Sequence, residues 1–222
     1  MPPIPRPFPR FVADSPQEAR PYGRWADRLE AEFVRACEPL AGEAGVALAA
    51  DTVRWFPERG WGGRVYVPAS GRGAAPAADG DGEGEAPQGP VEYFGWVSFE
   101  RAGDDEPREM RARADFTDVT AADNPDWKID LSDDVIGAWR AEGERGGDIT
   151  LIWGLPLVRG AVAVTAELDG EVTDQAAVQD GRFTLVAVDA VRGFGDELFV
   201  EVKLWDRSLR EIATESLYTE GD

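Results

Sequence analysis

Seven aspartates fall between Ala114 and Trp139: Asp115, Asp118, Asp123, Asp126, Asp130, Asp133 and Asp134. Carboxylates at this density are the raw material for a hard-cation site built from oxygen ligands, or for an acid/base pair. Set against the calcium-loop template, a loop starting at Asp123 puts Pro125 at the third position, where an oxygen-bearing side chain is required. A loop starting at Asp81 places Glu83, Glu85 and Glu92 at ligand positions. Its sharp turn would then fall on Ala86 instead of Gly, with Pro87 and Pro90 stiffening the rest. Most of the aspartates have a local role. Asp115 suits the wet face of a strand; Asp118, Asp123 and Asp126, with Asn124-Pro125, suit turns; Asp133 and Asp134 suit a helix start. Asp130 alone has none. For a divalent cation the candidates are Asp130 and, beside their turn roles, Asp123 and Asp126.

Other chemistries lack their residues. There is no His, so Ser-His-Asp and Cys-His nucleophile systems and His-ligated zinc or haem are absent. Cys37 is the single cysteine, which rules out an internal disulfide and thiolate clusters; within "VRACEPL" it reads as a small buried hydrophobe. Neither a GxxxxGK[ST] loop nor a GxGxxG between strand and helix occurs. Lys128 and Lys203 are the only lysines, and neither lies in an apolar setting that would suit a Schiff base. The reading is a protein without catalytic apparatus and without a cofactor.

The chain carries 23 basic against 43 acidic residues, a net charge of −20, which excludes nucleic acid as a main partner and favours a basic one. No apolar run approaches the ~20 residues of a membrane span, and "MPPIPRPFPRF" lacks the apolar centre of a signal peptide. A soluble, cytoplasmic protein without membrane contact is expected.

The elements that must position any site follow from patterning. Residues 1–14 form a proline-spaced arm that can be neither helix nor central strand. An α+β domain is expected over 15–120. Ser15, Pro16 and Glu18 suit a helix start, and Ala26, Leu29, Phe33 and Ala36 recur at helical spacing, with Trp25 and Cys37 widening the stripe. Pro39 and Gly42 mark its end. About four antiparallel strands come next. "DTVRWF" and "GRVYVPA" flank "PERGWGG" as a hairpin with a longer loop, and "VEYFGWVSFE" and "REMRARADF" follow. Residues 69–90 hold no large apolar side chain and read as a solvated acidic loop. This order resembles cystatin-like folds, in which a curved sheet wraps a helix.

Residues 121–222 read as an all-β antiparallel sandwich or small barrel, with tight turns at Asp169-Gly170 and Asp180-Gly181. Gly137-Ala138-Trp139 resembles the GxW near the start of lipocalin-like barrels, and that resemblance implies a ligand-binding barrel. The same stretch suits a helix turn capped by Ser132, or a plain strand.

Aromatic residues supply the positive clue. In "VEYFGWVSF" both alternate sets are apolar: Val91, Tyr93, Val97 and Phe99 on one face, Phe94 and Trp96 on the other. The helix can cover one face, and the other needs the second domain, another subunit or a ligand. Trp55, Trp61, Phe94 and Trp96 are therefore the candidate interaction surface, since Trp and Tyr dominate binding hot spots. The expected function is non-catalytic protein–protein interaction, self-association or assembly. The alternative is a small-ligand-binding barrel or a carboxylate-dependent, metal-assisted enzyme with its site near the domain junction.

Overall fold

The helical stripe forms as its spacing requires. In the computed structural model, which describes residues 25–73, 90–102, 106–140, 146–188 and 200–217, α1 (Ala26–Cys37) buries Ala26, Leu29, Phe33 and Cys37 along one side. The proline arm, the Ser15–Glu18 cap and most of the acidic 69–90 segment lie outside the described residues. Helical backbone does not stop at Pro39 or Gly42. A 3-10 turn (Glu38–Leu40) takes Pro39 into its first turn, where the missing N–H costs nothing, and a short helix (Ala41–Ala44) follows. The end comes at Gly45, whose φ of 70° is the left-handed stop that Gly supplies.

Five strands then build one antiparallel sheet: β1 (Arg54–Trp55), β2 (Arg59–Trp61), β3 (Arg64–Arg72), β4 (Glu92–Ala102) and β5 (Glu106–Thr117). The order is β1-β3-β4-β5, with β2 also paired to β3. Gly62 and Gly63, at φ 58° and 79°, make the two-residue turn between β2 and β3, so "PERGWGG" holds a strand and a tight hairpin in place of a long loop. β3 also runs past the expected loop start at residue 69. Ala69 and Ser70 are buried, and a Cβ at Gly71 would meet Leu48 Cδ1 at 2.6 Å. The small residues there mark close packing against the preceding segment, not exposure to solvent.

The helix lies on one face of this sheet. Leu29, Phe33 and Cys37 pack with Val65, Val67, Ala69, Tyr93, Val97 and Phe99, with Met110, Ala112, Ala114 and Phe116 of β5 at the margin. The alternation of "REMRARADF" is realised, with its apolar set half-buried and Arg111, Arg113 and Asp115 exposed. Within this core Tyr93 donates its hydroxyl to the Val46 carbonyl at 2.5 Å.

A second compact unit begins at Lys128. Seven strands compose its described part: β6 (Ile129–Arg140), β7 (Gly146–Pro156), β8 (Ala163–Leu168), β9 (Glu171–Ala177), β10 (Phe183–Val188), β11 (Val200–Trp205) and β12 (Glu211–Leu217). They form two antiparallel sheets, β10-β7-β6 and β12-β11-β8-β9, neither closed on itself. Ile152, Phe183 and Leu185 of the first meet Val164, Val202 and Leu204 of the second, a sandwich arrangement and not a barrel. Asp169-Gly170 turns the β8–β9 hairpin and Asp180-Gly181 the tight turn bridged by Gln179 and Arg182 between the two sheets, with φ between 48° and 77° at all four residues. Asp174 links the sheets, its Oδ2 accepting the Val186 amide at 2.8 Å.

Ser132–Trp139 is strand: of the two readings of this stretch the plain strand forms, and the helix start at Ser132, Asp133 and Asp134 is corrected. β6 pairs with β7 from Ile129↔Pro156 to Arg140↔Gly146, broken by a bulge between Val135 and Gly137. Long-range pairing overrides the local capping signal, and the β-branched Val135 and Ile136 suit a strand. Gly137-Ala138-Trp139 therefore lies on the terminal strand of an open three-stranded sheet. The barrel that its GxW pattern implies does not form.

Candidate interaction face

Residues directly opposite each other in an antiparallel ladder share a face, so register assigns every strand residue of the first sheet to a side. Trp55 pairs with Ala69 on the helix side, where it is 8% exposed and meets Phe33 edge-on with ring centroids 6.1 Å apart. Of the four aromatics proposed as a surface, Trp55 is thus a core residue.

The other three share the opposite face. Trp61 pairs with Arg64, and that row continues through Glu100 to Arg108. Arg59, Tyr66, Ser98 and Arg111 form the next row, Pro68, Trp96 and Arg113 the third, and Ser70, Phe94 and Asp115 the fourth. Trp96 sits edge-on to Tyr66 at 5.4 Å. Trp61 is 39% exposed, among the most exposed large hydrophobics of the described residues, while Phe94 and Trp96 are half-buried.

Arginine is the component that the aromatic count did not reveal. Arg64 lies across the rows: its Nε and Nη2 donate to Ser98 Oγ at 3.3 Å, Nη2 donates to the Glu109 carbonyl at 2.5 Å, and Nη1 stands 3.5 Å from Glu100 Oε1. Burial pushes the Tyr66 hydroxyl above its ordinary range, opposed by the charges of Arg64 and Arg111. The signal was present in the "RARAD" alternation, but only register shows that these arginines share a face with Trp61 and Trp96.

The aspartate candidates do not converge. Asp123 belongs to a turn: its amide donates to the Thr120 carbonyl at 3.1 Å and its Oδ2 accepts the Thr120 hydroxyl at 3.0 Å. Asn124 Nδ2 donates to the same carbonyl at 2.8 Å. Asp126 is exposed, and Asp130 sits on β6 opposite Leu155. Among the described residues no group of three or more Cys, Asp or Glu could hold a metal ion. Burial pushes the Asp130 carboxyl above its usual range.

Two further polar groups are held in part away from solvent. Lys203 Nζ donates to Glu167 Oε2 at 2.7 Å and lies 3.0 Å from Glu201 Oε2. Thr165 donates to Glu167 Oε1 at 3.0 Å and accepts Trp205 Nε1 at 2.9 Å. The second lysine is therefore a half-buried ion-pair partner: desolvation lowers its pKa, but the hydrogen bonds to Glu167 and Glu201 and the attraction of their charges together hold it above its ordinary range. Burial pushes the Cys37 thiol up to about 12, which leaves it protonated and unreactive at neutral pH.

Compared with protein-family models, with curated proteins and with solved structures, the chain has no match in any of the three.

Proposed function

We propose that this protein is a non-catalytic interaction or assembly component that docks a protein partner through the second face of its N-terminal sheet. The observation that carries the reading is the placement of Trp61 at 39% exposure on the same face as the half-buried Trp96 and a set of arginines. Trp, Tyr and Arg are the residues most enriched in binding hot spots. The net charge of −20 weighs against nucleic acid, and no helix among the described residues is long and apolar enough to cross a membrane. A cytoplasmic location belongs to the same proposal, supported by a lone, buried thiol that needs no oxidising compartment.

The test compares affinity capture, followed by mass spectrometry, for the wild-type chain and Trp61→Ala, with light scattering on both to read self-association. Covering the exposed part of a Trp removes about 80–100 Å² from water, or about 2 kcal/mol. Trp61→Ala should therefore weaken a true partner about 30-fold, while an unchanged capture profile sinks the reading.

A further inference from the structure

We propose that the outer face of the sheet β10-β7-β6 is a proline-recognising groove whose occupant is the chain's own proline-spaced arm, residues 1–14, laid along β7 as a strap. The face itself is the first support. Register puts Ile149, Leu151 and Trp153 of β7 on one side with Thr184 and Val186 of β10 and Trp139 of β6. Ile152, Phe183 and Leu185 point the other way, onto the second sheet of the sandwich. In a regular strand Asp134, which lies opposite Leu151, and Trp139 would fall on opposite faces. The extra residue at the bulge, Ile136, returns Trp139 to the side of Trp153.

Burial is the second support. One face of this three-stranded sheet is covered by its sandwich partner, and the other would be expected to meet water. Yet Ile149, Leu151, Trp153, Thr184 and Val186 are each at most 8% exposed. The cover must come from chain outside both sheets. The compact unit that holds them consists of Lys128–Asp222 and Met1–Pro16. Residues 141–145 join β6 to its neighbour β7, and 189–199 must carry the chain from β10 to β11 in the opposite sheet. Within the unit that leaves the arm.

The chemistry of arm and face is the third support. Pro2, Pro3, Pro5, Pro7 and Pro9 each fix φ and remove a backbone donor, which selects an extended polyproline II backbone. Such segments dock in aromatic-lined grooves at low entropic cost. The lengths agree. Trp153 and Gly147, the residue opposite Trp139, are separated by about 20 Å along β7, and Pro2 to Pro9 spans about 22 Å in polyproline II. Ile4 and Phe8 supply apolar side chains to lay on the face. Trp139 Nε1 is shielded from solvent and has no hydrogen-bond partner among the described residues. A shielded indole N–H calls for an acceptor. A polyproline II backbone makes no internal hydrogen bonds, so a carbonyl of the arm is free to accept it.

The experiment uses the full chain labelled with 15N-tryptophan and reads the indole N–H signals by NMR. Trp139→Phe removes one signal and so assigns it. Solvent exchange of the Trp139 N–H is expected to be at least tenfold faster in Ile4→Ser/Phe8→Ser than in wild type. A synthetic peptide of residues 1–14 added to that variant should return the signal saturably to its wild-type position, and a scrambled peptide should not. Pro5→Gly/Pro7→Gly loosens the arm without removing an apolar side chain, and it should speed exchange in the same direction, so the test survives if the first variant unfolds. A Trp139 signal unchanged in both variants overturns the strap and leaves the cover to another segment. Recovery with the scrambled peptide overturns recognition of the proline spacing. A wild-type signal that moves on dilution, with light scattering reading a dimer, overturns the strap in favour of arms exchanged between two copies.

Discussion

Replacing Lys203 with Met tests whether the polar cluster on the four-stranded sheet is held together as a unit. The ammonium is shared between Glu167 at 2.7 Å and Glu201 at 3.0 Å. Glu167 is 7% exposed, and without Lys203 its remaining donor in this cluster is the Thr165 hydroxyl. Removing one member of a buried ion pair costs about 3–5 kcal/mol, because the other charge is left desolvated. Here the Lys203 side chain is 16% exposed and Glu201 40%, so solvent screens part of the cluster. The expected loss is therefore about 2–3 kcal/mol. At about 4–8 °C per kcal/mol for a unit of this size, the midpoint should fall by about 10–20 °C. Differential scanning calorimetry supplies the midpoint. Glu167→Met/Lys203→Met should recover to within about 1 kcal/mol of wild type, since no buried charge is then left unpaired. The folded pKa of Lys203 is raised, so its contribution is fully present below the unfolded value and lost as pH rises through the folded one. The gap between wild type and Lys203→Met should stay flat through neutral pH and close only in strong alkali. A loss under about 1 kcal/mol, or a double variant as unstable as the sum of the two singles, would refute the account.

Three other outcomes follow from the geometry. A Cβ at Gly95 would stand 2.1 Å from the Arg113 carbonyl oxygen and 2.8 Å from the Ala114 Cα, both backbone atoms of β5. Gly95→Ala should therefore cost at least about 2 kcal/mol in urea unfolding; a wild-type midpoint would show that the strands part freely. Asp130 has a folded pKa raised by burial, so its contribution is present below the unfolded value and lost as pH rises through the folded one. Asp130→Asn should raise the thermal midpoint at neutral pH, with the gain vanishing below the carboxylate range; a gain independent of pH would contradict the burial cause. Cys37, with its thiol pushed up to about 12 and 2% exposed, should react with N-ethylmaleimide at neutral pH only as fast as its unit opens. Immediate labelling of the native chain would place the thiol elsewhere.

Much of the fold was legible because its signals are local. The stripe Ala26, Leu29, Phe33 and Cys37 needs only a repeat of 3.6 residues, and it forms as α1. The alternation in "REMRARADF" and the Asp-Gly turns at 169 and 180 need only period two and a left-handed turn, and both form. What was misread lay where a distant partner decides. Ser132–Trp139 carries a locally sound cap and becomes strand because β7 pairs along it. Ala69 to Gly71 looks like loop composition and becomes strand because small residues are what the covering Leu48 admits.

The candidate face divides in the same way. Composition alone established that both sides of β4 are apolar and that the chain lacks histidine-based, thiolate-cluster and P-loop chemistry. It could not sort Trp55 from Trp61, since side depends on register, and register is fixed by the Gly62-Gly63 turn and by pairing with β3. Nor could it align Arg108 with Arg111, which depends on one extra residue at Glu109, or join Lys203 to Glu167 across 36 positions of chain. Periodicity is a property of neighbours and survives in the sequence. Which residues face one another is a property of closed ladders and filled cores, and those exist only after the chain has folded.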